Sequence, residues 1–323
     1  VATNGRPGPV VVDIPKDVQF ASGTYEGPAN VVHKTYRPQI KGDASAITRA
    51  VELMAGAKKP IFYTGGGVIN SGPNASLLLR QLAEMTGYPV TSTLMGLGAY
   101  PSHEDQWLGM LGMHGTYEAN NAMHDCDVMI CVGARFDDRV TGRLDAFSPN
   151  SKKIHIDIDP SSINKNVHVD VPIIGDCAHV LEDMIRIWKS KVAQPDKEAL
   201  ADWWRQIDTW RGRKSLAFKQ DESGPIKPQQ AIQRLYELTK DRETYITTEV
   251  GQHQMWAAQH YHFDEPNRWL TSGGLGTMGY GLPAAIGAQI AHPDALVIDI
   301  AGEASIQMCM QEMSTAIQFM LPV

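Results

Sequence analysis

Two periods of hydrophobic and polar positions alternate along most of the chain. Between residues 43 and 187, short apolar runs typical of buried strands are separated by segments whose apolar residues recur at helical spacing. The predicted strands cover residues 60–64, 89–93, 128–132, 153–158 and 171–174. The predicted helices cover residues 44–55 (with Asp43 as N-cap), residues 74–86 and a segment from His114 to about residue 124. Strands that alternate with helices predict an α/β domain with a parallel sheet covered on both faces.

A second α/β pattern begins at Ile226. It predicts helices over residues 228–239, 254–260 and 283–291, and strands over residues 244–248 and 295–300. The polar segment 188–225 separates the two patterns and carries Trp203, Trp204 and Trp210 at helical spacing. We interpret this segment as an amphipathic connecting helix whose tryptophans dock on a domain face.

The N-terminal residues fit neither pattern. A turn rich in glycine and proline precedes an apolar run at residues 10–14, which predicts one buried strand. Since a lone strand is not stable in water, this strand indicates the end of a domain that is mostly absent from the chain. Residues 21–42 lack periodicity and are predicted to form a linker. The chain begins without methionine and stops within an apolar pattern, so we expect both ends to be cut.

Composition narrows the class of protein. The 323 residues are enough for about two domains. The formal net charge of −7 offers no global basic surface for nucleic acid, and no apolar run approaches the ~20 residues of a membrane-spanning helix. The cysteines show neither CxxC nor zinc spacing, and we expect reduced thiols in a cytoplasmic protein. They are Cys126, Cys131, Cys177 and Cys309.

A glycine motif invites a dinucleotide interpretation. The segment from Gly274 to Gly279 matches G-x-G-x-x-G, a helix is predicted after it, and Asp299 lies 20 residues beyond Gly279. Alone, this pattern indicates an NAD-dependent dehydrogenase. However, the preceding residues 268–272 make a poor buried strand, and an isolated match of this kind is weak evidence. Glycines at these positions also suit tight turns and close backbone contacts.

A second interpretation of the C-terminal unit involves a metal ion. The predicted strand ending at Ile300 runs into Gly302, Glu303, Ala304 and Ser305. An acidic residue among small residues at the end of a parallel strand suits a divalent metal that holds a diphosphate. The alternative is that Glu303 merely favours the dipole of the helix that follows.

Three loops of the first unit follow predicted strands: residues 65–67, 93–96 and 133–139. Ligands of open parallel sheets collect at the carboxyl ends of the strands, where glycines allow backbone amides to reach a pyrophosphate. Arg135 and Arg139 would supply donors to phosphate or carboxylate, unless they form salt bridges with nearby aspartates. Asp176, after the last strand, suits a ribose hydroxyl.

Several long motifs resemble one family. GGG at 65–67, LGMHG at 111–115, GARFDDRVTG at 133–142, VGQHQMWAAQ at 250–259 and SGGLGTMGYGLPAAIGA at 272–288 are similar to the catalytic large subunit of acetolactate synthase, a thiamine-diphosphate enzyme. The resemblance covers essentially the whole chain. The motifs GARFDDRVTG and VGQHQMWAAQ are long and specific within the wider thiamine-diphosphate family.

The resemblance implies doubly wound, parallel-sheet α/β domains. Residues 1–20 would end a missing pyrimidine-binding domain, and residues 21–42 would be a linker. Residues 43–187 would form a complete central FAD-binding domain, and residues 188–225 a connecting segment. Residues 226–323 would be the N-terminal part of a truncated domain that binds thiamine diphosphate and metal.

The resemblance also implies a function. Family members are transferases that decarboxylate pyruvate and join the remainder to a second pyruvate or to 2-oxobutyrate, in the biosynthesis of valine, leucine and isoleucine. Their cofactors are thiamine diphosphate, Mg²⁺ and FAD, and FAD has no net redox role. They form homodimers or higher oligomers, usually with a small regulatory subunit. The alternatives are another thiamine-diphosphate carboligase, oxidase or decarboxylase, which the RFDDRV segment disfavours, and a non-catalytic FAD- or nucleotide-binding module.

Site residues follow from the same resemblance, position by position. Residues matching FAD contacts are Arg6, Gly65, Gly66, Gly67, Asn70, Thr93, Leu94, Met95, Leu111, Gly112, Met113, His114, Gly133, Arg135, Asp137, Arg139, Asp176, Gln254 and Met255. Residues matching the thiamine-diphosphate site are Val250, Gly251, Gln252, His253, Gly276, Met278, Gly302, Ala304 and Ser305, with Glu303 as metal ligand. Arg139, Lys16 and Met113 match catalytic positions near the substrates.

The chain departs from the family pattern in places. Glu303 stands where the family has aspartate, and Met320 where it has glycine. Glutamate is one methylene longer than aspartate, and Mg²⁺ demands near-ideal geometry. The chain also lacks the family's second metal ligand and the glutamate that activates the coenzyme. We therefore expect the chain alone to be catalytically inactive.

Overall fold

The computed structural model describes residues 1–27, 35–190 and 195–323 of the protein. Its α-helices are α1 (Lys16–Phe20), α2 (Ala44–Ala55), α3 (Gly66–Asn70), α4 (Pro73–Thr86), α5 (Tyr117–Asp125), α6 (Asp138–Thr141), α7 (Cys177–Ser190), α8 (Lys197–Arg211), α9 (Pro228–Thr239), α10 (Gln252–His260), α11 (Gly281–Ala291), α12 (Glu303–Gln307) and α13 (Met313–Gln318). Its strands are β1 (Pro60–Thr64), β2 (Val90–Ser92), β3 (Trp107–Met110), β4 (Val128–Val132), β5 (Lys152–Asp157), β6 (Val171–Ile174), β7 (Thr244–Thr248), β8 (Trp269–Thr271) and β9 (Leu296–Ile300).

The first unit is a six-stranded parallel sheet in the order β3-β2-β1-β4-β5-β6. The central strands β1 and β4 are buried along their whole length, which explains why both read as continuous apolar runs. From β1 the chain winds outward to β3 and then returns to β4 on the other side. The order therefore reverses between β1 and β4, which is the point where doubly wound sheets bind ligands. The predicted parallel-sheet α/β fold is confirmed.

Strand alternation distributes the core between the two faces of this sheet. Phe62 packs on the side of α2, α4 and α7, whereas Ile61 and Tyr63 face the side covered by α5 and α8. Helix α2 begins as predicted, because the Asp43 carboxylate accepts a hydrogen bond from the Ala46 amide at 2.8 Å. Both faces of the sheet are therefore covered.

Helix α8 is the predicted connecting helix, and its tryptophans dock on the first unit. Trp203 is buried, and its indole Nε1 donates to the carbonyl of Pro60 at 3.0 Å. Trp204 donates to the carbonyl of Gly87 at 2.9 Å and is only partly buried. Trp210 meets Trp203 edge to face, with 5.6 Å between ring centroids. Trp203 and Trp204 thus have the hydrogen-bond partners that docked indoles require.

The second unit contains a three-stranded parallel sheet in the order β8-β7-β9. Here the order reverses between β7 and β9. Strands β3 and β8 are the two that the sequence pattern did not predict. Each is short and lies at the edge of its sheet, and β3 contains Gly109 at a φ of +89°.

The predicted buried strand at residues 10–14 is wrong. These residues are exposed, with Val11 at 89% of its maximal accessible surface, and the next helix, α1, begins at Lys16. The reason is physical: among the described residues no strand lies beside this run to satisfy its backbone hydrogen bonds.

Two further expectations can be compared with the structure. The four cysteines are free and buried, in agreement with the prediction of reduced thiols. Among the described residues, no helix combines the length and the apolar character needed to cross a membrane.

Replacing Trp203 by alanine tests the docking of α8. Loss of a fully buried tryptophan should lower the free energy of unfolding by about 3–5 kcal/mol, because a cavity remains and the Pro60 carbonyl loses its donor. Trp204→Ala is the matched control and should cost less, since Trp204 is only partly buried. Urea unfolding monitored by circular dichroism measures both; equal losses would contradict the docking described above.

Candidate functional site

The reversal point of the first sheet is closed by contact between glycine backbones. The amide of Gly67 donates to the carbonyl of Gly133 at 2.9 Å, and the amide of Gly65 donates to that of Val132 at 3.0 Å. A Cβ added to Gly67 would lie 2.6 Å from the Cα of Gly133, so no side chain fits there. Gly133 also has a φ of +64°, which favours glycine. Glycine is therefore required at both positions for β1 and β4 to end in contact.

Hydrogen bonds from side chains outside the loop fix the backbone of residues 133–139. The carbonyl of Ala134 accepts from Nε2 of His155 at 2.7 Å and from Sγ of Cys131 at 3.2 Å. The carbonyl of Phe136 accepts from the side-chain amide of Asn166 at 2.9 Å. Phe136 has a φ of +53°, and its ring packs against Tyr63 and His155. Sequence reasoning missed these supports, although a histidine within the apolar strand β5 was a visible signal.

Two arginines leave this loop toward solvent. Arg135 pairs with the carboxylate of Asp137 and keeps 47% of its side chain exposed. Arg139 is 73% exposed and lies 3.6 Å from Asp138. Burial acts against ionisation of Asp137, but the hydrogen bond from the Arg139 amide and the charges of Arg135 and Arg139 lower its pKa overall. Exposed ion pairs contribute at most about 1 kcal/mol, so these guanidinium groups can exchange carboxylate partners for an anionic ligand.

The family-like motif at residues 111–115 meets this loop. The amide of Met113 donates to the carbonyl of Arg139 at 2.8 Å. A Cβ on Gly112 would lie 2.7 Å from that same carbonyl, and Gly112 has a φ of +94°. The side chain of Asn120, another residue that sequence reasoning missed, bonds both the amide and the carbonyl of Gly112 at 2.8 and 2.9 Å. The structure therefore brings two of the predicted motifs together.

The predicted loop at residues 93–96 contacts both units. Residues Leu94–Gly96 form a 3-10 turn, and the amide of Thr93 donates to the carbonyl of Thr64 at 2.9 Å. The Thr93 hydroxyl is buried without a hydrogen-bond partner among the described residues. Met95 lies against Gly66 on one side and against Gly273 of the second unit on the other. The turn thus joins the carboxyl ends of both sheets.

The reversal point of the second sheet is organised by charge. Glu249 follows β7 and is only 1% exposed. Its Oε1 accepts from the amide of Gly302 at 3.1 Å and lies 3.4 Å from Nε2 of His253. The His253 ring lies against both Gly251 and Gly302, and Nε2 makes no hydrogen bond of good geometry with any described residue. Glu249 thereby ties the loop after β7 to the loop after β9; the signal for it was an acidic residue directly after a strand.

A second carboxylate, Asp299, lies close to Glu249. A Cβ added to Gly281 would collide with both carboxylates, so they share one small space beneath the start of α11. Thr247 donates to Oδ1 of Asp299 at 3.0 Å. Burial and then the charge of Glu249 raise the pKa of Asp299 from an ordinary 3.8 to about 6.

The strand order of the second sheet argues against dinucleotide binding by the motif at Gly274–Gly279. In a nucleotide-binding βαβ unit, the acidic residue lies on the strand next to the one that precedes the glycines. Here the glycines follow the edge strand β8, whereas Asp299 lies on β9, which pairs with β7 instead. The Asp299 carboxylate, moreover, is engaged by Thr247 and faces Glu249.

Other predicted residues lie at varying distances from these loops. Arg6 pairs with Asp159, just beyond the carboxyl end of β5, at 3.3 Å. Asp176 caps α7 through hydrogen bonds from the amides of Ala178 and His179. Gln254 is buried and donates to Thr271 at 2.7 Å, so its amide is turned toward β8. Lys16 contacts the ring of Phe20, and no described contact joins it to the remaining predicted residues.

The remaining predicted residues lie on exposed or partly exposed segments. Asn70 ends α3, and Met255 is partly buried in α10. Gln252 begins α10, while Val250 and Met278 are exposed, and Gly276 lies close to the Val250 side chain. Glu303 and Ala304 are exposed at the start of α12, and Ser305 is buried behind them. Within the described residues, no group of three or more His, Cys, Asp or Glu side chains is placed to hold a metal ion.

Comparison with known families assigns a class to this architecture. The thiamine pyrophosphate enzyme central domain matches residues 47–184, and the thiamine pyrophosphate enzyme C-terminal TPP binding domain matches residues 249–323. These matches cover the first sheet and the second reversal point, respectively. Two domain models of the thiamine pyrophosphate enzymes thus match separate parts of the chain. Neither domain description names a flavin.

Individual relatives narrow this class further. The chain is 49% identical over its whole length to the acetolactate synthase large subunit of Haemophilus influenzae and to the acetolactate synthase isozyme 3 large subunit of Escherichia coli, covering 56% of each. It is 45% identical over 98% of its length to acetolactate synthase of Mycobacterium leprae, covering 50% of that protein. The chain thus spans about half the length of these relatives. Its similarity to acetolactate synthase large subunits confirms the resemblance inferred from the motifs.

Substituting Gly133 tests the glycine contact. Gly133→Ala should lower the free energy of unfolding by about 1–3 kcal/mol more than Gly142→Ala, because only the first adds overpacking to backbone strain. Gly142 is a matched control, since its φ of +57° also favours glycine but an added Cβ would meet nothing within 4 Å. Chemical denaturation of both variants measures the difference, and equal losses would argue against a tight contact.

The raised pKa of Asp299 predicts a pH-dependent effect on stability. The folded state holds this proton more tightly than the unfolded state, so ionisation of Asp299 costs stability above about pH 6 and costs nothing below about pH 4. Asp299→Asn keeps the Thr247 hydrogen bond without the charge. It should therefore raise the free energy of unfolding by about 1 kcal/mol at pH 7.5, allowing for solvent screening.

The measurement is denaturant unfolding at pH 7.5 and pH 4.5, with Asp294→Asn as an exposed control. The gain of Asp299→Asn should shrink at pH 4.5, where the wild-type carboxyl is already protonated. A gain that is equal at both pH values, or shared by the control, would show that Asp299 does not carry the effect.

Proposed function

We propose that this chain serves acetolactate synthesis: thiamine-diphosphate-dependent decarboxylation of pyruvate, and transfer of the remaining two carbons to a second pyruvate or to 2-oxobutyrate. The observation that carries the proposal is 49% identity across the whole chain with proteins named acetolactate synthase large subunits. Because the chain covers 56% of those relatives, the activity is proposed for a protein that contains this chain.

We place the coenzyme diphosphate at the second reversal point. The residues around it are Val250, Gly251, Gln252, His253, Gly276, Met278, Gly302, Ala304 and Ser305. An observation favours this assignment: Nε2 of His253 is buried beside Gly302, and residues 1–27, 35–190 and 195–323 offer it no hydrogen bond of good geometry, so a phosphate oxygen would satisfy it. Bound thiamine diphosphate supplies the electron sink for decarboxylation, and the protein supplies orientation and charge.

Glu303 would give one carboxylate to Mg²⁺ in this arrangement. Mg²⁺ in phosphate sites often takes one or two carboxylates and fills the remaining positions with phosphate oxygens and water. The exposure of Glu303 at the start of α12 is compatible with that role. Met320, at the position where the family has glycine, has a φ of +52°, so the backbone keeps the glycine-like conformation despite the substitution.

We place FAD at the first reversal point. Three predicted loops converge there, and the buried Thr93 hydroxyl finds no hydrogen-bond partner in the part of the chain that the structure describes. Arg135 would bind the flavin pyrophosphate, since guanidinium forms strong paired hydrogen bonds with phosphate. Arg139, with 73% of its side chain exposed, would bind the carboxylate of the second 2-oxo acid, close to Met113. Lys16 would have to approach from the N-terminal segment.

The proposal extends to partners. The relatives are named large subunits, which implies a small regulatory subunit. Exposed site loops at both reversal points are consistent with a homodimer or higher oligomer that completes the site. The identity with bacterial biosynthetic enzymes favours a cytoplasmic location.

Flavin binding is the sharpest test of the site. The purified chain is incubated with FAD, excess ligand is removed, and the visible spectrum and dissociation constant are measured. Arg135→Ala should weaken FAD binding about tenfold or more through loss of a charge-assisted contact. Arg143→Ala is the matched control, because Arg143 also pairs with an aspartate two residues later. Absence of flavin binding in the wild type would refute the flavin site, and equal effects of both variants would remove Arg135 from it.

Acetolactate formation from pyruvate tests the activity. With thiamine diphosphate, Mg²⁺ and FAD added, we expect no turnover from this chain alone, because the resemblance assigns essential groups to residues it does not contain. Turnover should appear when the chain is part of a protein as long as the relatives. Clear turnover by the chain alone would contradict the first expectation, and an inactive long protein that binds all cofactors would contradict the proposed function.

A further inference from the structure

We propose that His155 is a positioning residue for the flavin-binding loop: it fixes the backbone of residues 133–139 and thereby sets the affinity for FAD. The inference rests on the flavin site proposed above. His155 lies beneath the loop, on β5, and does not belong to any of the motifs that carry the family resemblance.

His155 belongs to a row of polar side chains that crosses the sheet. Tyr63 on β1, Cys131 on β4 and His155 on β5 are register neighbours, so they form one row across three adjacent strands. Neighbouring residues in register point to the same face of a parallel sheet. All three are completely buried, on the face below the loop. A row with hydroxyl, thiol and imidazole groups is unusual in a core that is otherwise apolar.

His155 forms a hydrogen bond with the carbonyl of Ala134. The carbonyl is the acceptor, so Nε2 of His155 must carry the hydrogen, and it donates at 2.7 Å. Cys131 donates to the same carbonyl at 3.2 Å, but a thiol is a weak donor. His155 is therefore the main partner of a carbonyl at the turn of the loop. The other ring nitrogen, Nδ1, has no hydrogen-bond partner among the described residues.

The imidazole ring of His155 also packs against the ring of Phe136. The two ring centroids are 5.1 Å apart and nearly perpendicular, at 80°. Phe136 has a φ of +53°, a conformation that non-glycine residues adopt only when their surroundings enforce it. His155 thus holds the residue before Arg135 by a hydrogen bond and the residue after it by a ring edge. Both restraints act on the backbone that carries Arg135.

These restraints explain why the imidazole matters beyond its volume. An apolar side chain of similar size would fill the core but leave the Ala134 carbonyl with only the thiol. The loop would then sample other conformations, and ordering it would oppose ligand binding. A glutamine would keep an amide donor near the position of Nε2 and should preserve the loop.

The experiment compares His155→Leu, His155→Gln and Tyr63→Phe. Tyr63→Phe is the matched control, because it changes a side chain of the same row, keeps the ring that packs against Phe136 and leaves the hydrogen bond to the Ala134 carbonyl in place. Two quantities are measured on each chain: the dissociation constant for FAD from flavin fluorescence, and hydrogen exchange of the amides of residues 134–139 without flavin. Thermal melting monitors folding.

We expect His155→Leu to weaken FAD binding about tenfold and to speed exchange in the loop, as loss of one buried hydrogen bond would do. His155→Gln should restore both quantities to within about threefold of the wild type, and Tyr63→Phe should leave them unchanged. The inference is overturned if His155→Leu folds, keeps slow loop exchange and binds FAD like the wild type, or if glutamine fails to rescue a well-folded protein.

The two proposals fail in different ways. If the wild type does not bind FAD, the flavin assignment is wrong, and slow loop exchange that depends on His155 would still establish its positioning role. If the wild type binds FAD but neither quantity responds to His155, the flavin site stands and the role of His155 falls. If His155→Leu does not fold, His155→Gln is compared with the wild type and with Tyr63→Phe. Faster loop exchange in His155→Gln, but not in Tyr63→Phe, would overturn the inference, because glutamine would then fail to replace the imidazole.

Discussion

The direct contact between the backbones of Gly67 and Gly133 is the constraint on which the first unit depends. It allows β1 and β4 to end in hydrogen-bonding distance at the point where the sheet order reverses. The loop after β4 starts from this contact, the loop at residues 111–114 is attached to that loop through Arg139, and Met95 closes the side next to Gly66. A side chain at either glycine would separate the strands, and every loop built on them would move.

The second unit meets the same topological problem by a different physical means. At its reversal point, the buried carboxylate of Glu249 spans the gap between the loops after β7 and β9. This arrangement places a second acid, Asp299, in the same small space, where its ionisation is opposed. Contact between uncharged glycine backbones closes the reversal point of the first sheet, whereas the buried carboxylate of Glu249 closes that of the second. The two sites should therefore respond differently to pH, because Asp299 has a raised pKa and glycine contacts do not titrate.

Much of this fold could be predicted because its central strands are buried on both faces. β1, β4, β6 and β7 were predicted to the residue, and β1 and β4 in particular are apolar runs that are buried along their whole length. The short edge strands β3 and β8 escaped, and residues 10–14 were misassigned because an apolar run cannot reveal whether a neighbouring strand exists. The convergence of three loops followed from parallel topology alone. Asn120, His155 and Glu249 could not be assigned roles from the sequence, because their partners are distant along the chain or belong to the backbone.

The carbonyl groups of the loop after β4 have a wider consequence. Those of Gly133, Ala134, Phe136 and Arg139 are all engaged by donors from other parts of the protein. The shape of the loop is therefore encoded outside the loop, while the exposed side chains at positions 135, 138 and 139 contribute little to it. Such a division makes the surface residues exchangeable during evolution. A lineage can alter what this edge of the sheet recognises by changing one or two side chains, without the loss of stability that a new backbone conformation would impose.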